Sequence, residues 1–393
     1  MKDSPPSMQN KTEMRIFSSV LRRLGLTLAL AACGVGAARA APQGTPYVVI
    51  DASNGAVVAE QEATRRWYPA SLTKLVTAYV ALSALRQGKV GLDTPLVVSW
   101  RAARMPPSKM GFNPGSEVTL ENALRMLMVK SANDIAVTIA EGLGGSVEGF
   151  ADQMNAAAAK LGMRESHFVN PNGLHHDAHY SSARDMAIIG YALFRDFPEY
   201  SYLYGIGALR LGEQVIPTHN GLLGRYPGAD GMKTGFTCAA GFNVVASATR
   251  GGRRLIAVVL GYPNAKARTL KAASLLDAGF ASGNGPSLAS LRAIPGAPTN
   301  NRPRVCGAHR EQVAEDDFAN PFANAQGDDA NGLAAVQAQT ARPAFEPVPV
   351  FAGRVPGWTG PALAALRDDP PPPAPAGKAG KGKKGGKKKP KRR

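Results

Sequence analysis

Apolar residues recur along this chain with two different periods, and their order predicts the architecture. Tyr47-Val48-Val49-Ile50-Asp51 and Ala56-Val57-Val58-Ala59 are apolar, β-branched runs either side of the turn sequence Ser53-Asn54-Gly55, and together they predict a hairpin. After Pro69 the pattern becomes helical from Ser71 to about Gln87, rich in Leu and Ala. Further helices are predicted over Leu120–Leu127, Asp134–Glu141 and Val147–Leu161, with a break at Ser131-Ala132-Asn133. Asn170-Pro171-Asn172-Gly173 reads as a turn, and a helix over Ser182–Phe194 follows with Ser181 or Ser182 as its N-cap. Alternation returns in Phe242–Thr249 and Arg254–Gly261 around Gly251-Gly252, and Ala265–Phe280 reads as a last helix. Strands on both sides of a helical block predict an α+β fold: one antiparallel sheet drawn from both ends of the domain, with the helices grouped against it. There is no internal repeat and no Gly-rich phosphate loop.

Composition changes this picture at the two ends of the 393-residue chain. The patterned region runs from about residue 45 to 282. Residues 283–369 turn rich in Pro, Ala, Gly and Asn, and are expected to be largely disordered, because few apolar side chains there offset the entropy of ordering. Residues 370–393 are a Pro run and then a Lys/Gly tract that carries ten of the positive charges behind the formal +17. The excess charge therefore sits in a tail and not on a folded face, which argues against a nucleic-acid-binding protein. At the other end, Arg22-Arg23, the apolar Leu24–Ala32 and the small-residue site Ala38-Arg39-Ala40 predict a signal peptide over residues 1–40, with Ala41 as the mature start. Met14 gives a more ordinary signal length than Met1, and the apolar stretch is short for a membrane span. Leu30-Ala31-Ala32-Cys33 offers a competing lipoprotein site, with Cys33 lipidated. Once Cys33 is removed, Cys238 and Cys306 remain, and an exported protein permits either one disulfide between them or two separate small apolar residues.

Three short motifs carry candidate chemistry. Ser71-Leu72-Thr73-Lys74 at a helix start puts a hydroxyl and an amine on one helix face. The hydroxyl needs a base to become a nucleophile, and a desolvated lysine near other cations is one. Ser131-Ala132-Asn133 offers a hydroxyl for proton relay and an amide to hold a substrate backbone or orient Lys74. Lys233-Thr234-Gly235 lies just ahead of strand-like sequence: Lys233 and Thr234 suit a substrate carboxylate, and Gly235 lets a substrate backbone approach. Each motif alone is weak; their order and wide spacing together are those of penicillin-binding proteins and serine β-lactamases.

Four stretches sharpen this. Pro69–Lys74, Ser131–Asp134, His167–Leu174 and Asp230–Gly235 resemble the D-alanyl-D-alanine carboxypeptidases, low-molecular-weight penicillin-binding proteins of peptidase family S11. The Asn-Pro-x-Gly-Leu part (Asn170–Leu174) separates them from β-lactamases. The resemblance covers about Thr45 to Phe280 and implies a β-lactamase/transpeptidase-like fold, an antiparallel sheet flanked by helices. It implies Ser71 as the acylated nucleophile, Lys74 as its base, Ser131 as proton relay, and Asn133, Lys233, Thr234 and Gly235 as substrate-binding groups. The oxyanion hole would be the backbone N–H groups of Ser71 and Phe236. The implied substrates are peptidoglycan stem peptides ending in D-Ala-D-Ala, with β-lactams as covalent inhibitors and no metal or cofactor. Relatives of this type often add a β-rich domain and an amphipathic C-terminal helix. Neither is evident here, and the prolines of Pro343–Pro356 argue against a central strand.

Other residues invite other readings. His167, His175, His176 and His179 cluster without the i, i+4 zinc spacing, and are read as part of a loop near the site. Glu165 is read as a surface carboxylate, not the deacylating Glu of a β-lactamase. The rival functions are a DD-endopeptidase on the same scaffold and a non-catalytic envelope-binding protein whose basic tail contacts anionic wall polymer, lipid or lipopolysaccharide.

Overall fold

The structure is a computed structural model that describes residues 44–307 and 344–366. The signal segment, Cys33 and the Lys/Gly tail lie outside the described residues. A five-stranded antiparallel sheet in the order β2-β1-β9-β8-β7 is built from β1 (Tyr47–Asp51), β2 (Val57–Gln61), β7 (Ala229–Thr237), β8 (Gly241–Arg250) and β9 (Arg253–Tyr262). β1 pairs with β9 from Tyr47↔Val259 to Asp51↔Leu255, which joins the two ends of the domain as the strand pattern predicts.

Alternation along these strands explains why both faces are covered. Val48, Ile50, Val245, Ile256, Val258 and Leu260 belong to one apolar core, whereas Val49, Val244, Ala246, Leu255, Ala257 and Val259 belong to another. With side chains pointing alternately up and down, two cores on one sheet follow directly. The first core holds the helical block: α1 (Thr73–Arg86), α2 (Leu120–Val129), α3 (Asn133–Gly144), α4 (Val147–Leu161) and α5 (Ala183–Asp196). The second holds α6 (Ala265–Phe280). α1 is buried nearly all round at Thr73 to Ala78, as befits the central helix of a block. Ser182 caps α5 by accepting from Asp185 N–H, the expected N-cap.

Small elements escaped the pattern. β3 (Pro95–Val97) pairs with β4 (Glu117–Thr119), and β5 (Ala208–Leu211) with β6 (Gln214–Pro217). β7 was not expected as a strand either: Lys233-Thr234-Gly235 lies ahead of β8 as read from the sequence, but inside a further strand on the sheet edge. Gly231 and Gly235 had obscured its apolar alternation.

The extension beyond residue 282 departs from the expectation of disorder where it is described. Residues 344–366 form a strap across the helical side of the domain. Its two-residue strand β10 (Val348–Pro349) adds to β5 in parallel, and Val350 is buried and donates its N–H to Arg210 O at 2.9 Å. Gly353 N–H reaches Glu117 O, and Leu363 brackets β3 through Leu363 N to Pro95 O and Val97 N to Leu363 O, 2.8 Å each. A few well-spaced apolar side chains and borrowed backbone pairs suffice to hold it, and its prolines sit at an edge where no donor is missed. Residues 299–307 are held against the turn between β7 and β8, where Cys306 is joined to Cys238 by a disulfide and Asn301 N–H donates to Ala239 O.

Candidate active site

Backbone tethers place Ser71 before any side chain of the site is considered. Asn243 on β8 donates its amide to the carbonyls of Tyr68 and Pro69 and accepts from Gly261 N–H. Trp67 is fully buried and its indole N–H donates to Ala240 O at 2.8 Å. These bonds pin the segment entering α1 to the sheet. Ala70 is then held at φ +50°, a strained position for a residue with a Cβ, and Ser71 follows it in a single 3-10 turn. Gly235 is required here by packing: a Cβ on it would stand 3.0 Å from Ser71 N and 2.9 Å from Pro69 O. Its role is thus close contact between β7 and the Ser71 turn, in addition to any approach by substrate.

Lys74 lies one turn on, fully buried. Its Nζ is 3.0 Å from Ser71 Oγ, and it donates to Asn133 Oδ1 at 2.8 Å and to the Asn172 carbonyl at 2.7 Å. Burial chiefly, and then the charge of Lys233, hold its pKa well below the usual lysine range, with Asp134 opposing. All three partners of Nζ are oxygens, and the Ser71 hydroxyl is thereby in direct contact with an amine whose basicity burial has lowered.

The Ser131 motif occupies the turn between α2 and α3. Ser131 has φ +60°, outside the normal range for a non-glycine residue, and faces the cleft. Asn133 starts α3 and spends one amide N–H on Pro106 O at 2.9 Å, leaving the other for a ligand. Asp134 is fully buried and accepts the backbone N–H groups of Met110 and Gly111, at 3.0 and 2.8 Å. It thereby fixes the loop that lines the cleft at Pro107 and Ser108.

On β7, Lys233 is buried and its Nζ donates to Thr234 O at 2.9 Å. Burial, then repulsion from Arg268, bring its pKa down to about 7. Arg268 on α6 is buried too, and burial brings it down to about 10. Ser71, Ser131, Asn133, Thr234, Gly235 and Phe236 line one cleft of about 520 Å³, with Arg268 on its wall and Lys74 and Lys233 behind it. The Phe236 ring is exposed and packs on Phe242 at 4.2 Å between centroids, which leaves its backbone to the site.

Several residues of the site carried no role in the sequence. Asn172 contributes through its carbonyl, and Gly173 lies against Ala70 so tightly that a Cβ would come within 1.9 Å of Ala70 O. That turn was singled out, but nothing local signals which helix it meets. His179 accepts from Val169 N–H at Nδ1, so its Nε2–H donates to Thr73 Oγ1 at 2.8 Å. Burial, then the other histidines, lower its pKa to about 3, so it is a neutral strut between the loop and α1. Arg268 sits in an ordinary helical pattern and had no sequence signal. Glu165 is a correction: it is only 6% exposed and pairs with Arg184 at 3.1 Å, because Arg184 lies beneath the loop. Among the described residues no group of three or more His, Cys, Asp or Glu side chains is arranged to hold a metal.

By fold and cleft together this is a protein of the penicillin-binding class, an antiparallel sheet flanked by helices with a serine at the helix–sheet junction. The family model for D-alanyl-D-alanine carboxypeptidases of peptidase family S11 matches residues 35–264, and the chain belongs to that family. It is 39% identical over 241 residues to the D-alanyl-D-alanine carboxypeptidase DacA of Haemophilus influenzae, covering 60% of this chain and 61% of that relative's length. Among solved structures, penicillin binding protein 5 from Haemophilus influenzae superposes with a TM-score of 0.58 at 38% identity, covering 63% of this chain and 73% of that one. Penicillin-Binding Protein D2 from Listeria monocytogenes, solved in a cefotaxime-bound form, gives 0.55 at 29% identity, covering 61% of this chain and 98% of that one.

Proposed function

We propose that this protein is an exported serine D-Ala-D-Ala carboxypeptidase that removes the terminal D-alanine from peptidoglycan stem pentapeptides. The observation that carries this reading is the environment of Lys74: buried, repelled by Lys233, its pKa held well below the usual lysine range, and its Nζ 3.0 Å from Ser71 Oγ. A base is thus in contact with the nucleophile before substrate arrives.

The steps follow from this arrangement. The terminal carboxylate of the substrate is drawn to Thr234 and to the charge of Lys233, with Arg268 behind. This sets the scissile carbonyl between Ser71 and the backbone N–H groups of Ser71 and Phe236. Ser71 Oγ bonds to the carbonyl carbon as its proton passes to Lys74, and the oxygen becomes an oxyanion held by those N–H groups. The C–N bond then breaks, and the proton moves from Lys74 through Ser131 to the departing nitrogen, releasing D-alanine. Water adds to the ester carbonyl, giving its proton to Lys74. The C–O bond to Ser71 breaks, Ser71 Oγ regains a proton, and the shortened peptide leaves. A β-lactam enters by the first step, its ring amide taking the place of the scissile bond. The acid and base work needs only Ser71, Lys74 and Ser131, all within the cleft or in contact with it.

The test is D-alanine release from a pentapeptide ending in D-Ala-D-Ala, with Ser71→Ala beside the parent, each shown to be folded. Release by the parent and loss of at least about a thousandfold in the variant is the expected result. Equal release by both would remove Ser71 from the mechanism. Cleavage of cross-linked dimers without release from pentapeptide would make the enzyme an endopeptidase.

A further inference from the structure

The strap of residues 344–366 lies outside the 35–264 family match, yet one of its side chains reaches the cleft. Phe345 lines the same cavity as Ser71, Thr234, Thr218 and Asn220. Its ring rests on Gly207 so closely that a Cβ there would meet Phe345 Cδ1 at 2.1 Å, so the glycine is the seat that lets the ring in. The strap is held just beyond by the β10–β5 pairing and by buried Val350, which makes Phe345 a fixed wall.

Its position along β7 gives the wall a meaning. Ser71 N faces Gly235, at the reacting end. Thr234, Lys233 and Asp230 then step away from it along the strand at about 3.3 Å each. The segment bearing Gly207 packs on this far end: Gly205 lies beside Asp230 O, and Gly231 against Tyr204. Thr218 N–H donates to Gly207 O at 2.8 Å, and the Asn220 amide donates to Gly231 O at 3.0 Å, so the loop lining the cleft is tied to the same end. In the reaction proposed above, on which this inference rests, the leaving group occupies that end. A terminal D-alanine presents only a methyl and a carboxylate. The leaving group of a cross-link is a D-centre whose side chain continues into a second stem peptide.

We propose that Phe345 is a specificity-determining residue that restricts the site to a terminal D-alanine by closing the leaving-group end against cross-linked stems. Steric exclusion by one side chain in a fixed wall is worth about tenfold or more in kcat/KM. The experiment uses the full mature chain and measures two rates for parent, Phe345→Ala and Phe345→Leu: D-alanine release from a pentapeptide, and conversion of cross-linked dimeric muropeptides to monomers. Acylation by benzylpenicillin, which carries no second stem, reports whether the catalytic groups are intact, and a melting curve reports folding. Phe345→Ala is expected to raise the ratio of dimer cleavage to D-alanine release about tenfold, with benzylpenicillin acylation within twofold of the parent. Phe345→Leu retains most of the contact on Gly207, and is expected to move the ratio about threefold in the same direction should the alanine variant not fold. An unchanged ratio in a folded variant, with normal acylation, overturns this inference alone. A parent that releases no D-alanine overturns the carboxypeptidase reading and this inference with it.

Discussion

Two buried charged clusters lie in this domain and they are built on opposite plans. In one, Arg184 is sandwiched by carboxylates, Asp185 at 2.7 Å and Glu165 at 3.1 Å, and also donates to the carbonyls of Leu288 and Gly162. Burial, with the neighbouring Glu165 carboxylate, raises the pKa of Asp185, so the group stays close to neutral overall. In the other, Lys74, Lys233 and Arg268 are buried at 0%, 2% and 4% exposure, and no carboxylate forms a salt bridge with any of them among the described residues. Each lowers its pKa instead. The first plan satisfies every charge with protein and can only hold structure. The second leaves positive potential and an amine of lowered basicity at a cleft, at a cost of several kcal/mol in desolvation, a state that is useful only to something that brings a negative charge.

Replacing one member of each cluster by an apolar side chain separates these plans. The largest effect is expected from Lys74→Met: kcat for D-alanine release falls at least about a thousandfold, since the proposed nucleophile loses its proposed base. Its melting temperature stays within a few degrees of the parent, because relief of a buried amine offsets the two lost carbonyl contacts. Arg184→Met should do the reverse. Two buried carboxylates lose their cation, which costs about 3–5 kcal/mol, or roughly 10 °C for a domain of this size. Activity per folded molecule, titrated by a covalent β-lactam label, should stay within twofold. A thermally silent Arg184→Met, or one that abolishes labelling in folded protein, would break the comparison.

How much of this was legible in the sequence follows the same division. The strands β1, β8 and β9 and the helices announced themselves through unbroken periodicity, and the Ser71, Ser131 and Lys233 motifs were visible because chemistry fixes residue types at fixed local spacings. The sequence could not show what depends on long-range contact. Glu165 looked like any exposed carboxylate until folding put Arg184 beneath it, and Arg268 looked like any surface arginine on a helix. Asn243, inside an apolar strand, was a buried amide with no local partner, and its partners are Tyr68 and Pro69, far away in the chain. β7 was hidden because its glycines, required by contact with Ser71 and Tyr204, interrupt the alternation. The strap was hidden because its stabilisation comes from backbone pairs supplied by β3 and β5, and not from its own composition.

Lys233 gives the smallest effect and the finest distinction between the plans, because in the proposed reaction it serves binding while charged, and its neutral form is the one that burial favours. In the free protein its pKa is brought down to about 7 by burial first and by Arg268 second. In the proposed reaction the ammonium attracts the substrate carboxylate below pH 7; above it the charge is lost. The expectation is that kcat/KM falls by up to about tenfold per pH unit above 7. A bound carboxylate raises the pKa of Lys233 in the complex, so kcat holds level over the same range and the loss appears in KM. The linkage to folding has the opposite sign. Unfolded lysine keeps its proton to about pH 10.4, so between pH 7 and 10 the unfolded chain binds the additional proton, and Lys233 makes stability rise with pH across that window. Lys233→Met should therefore raise KM about thirtyfold at pH 6.5, the loss of one charge-assisted hydrogen bond, and remove the KM limb above pH 7. It should also raise the melting temperature by a few degrees at pH 6.5 and by less at pH 9.5. Measuring kcat, KM and melting temperature for both proteins at those pH values resolves the matter. A limb that appears in kcat would assign Lys233 to the chemical step, and a variant less stable than the parent at pH 6.5 would mean that its charge is satisfied within the fold after all.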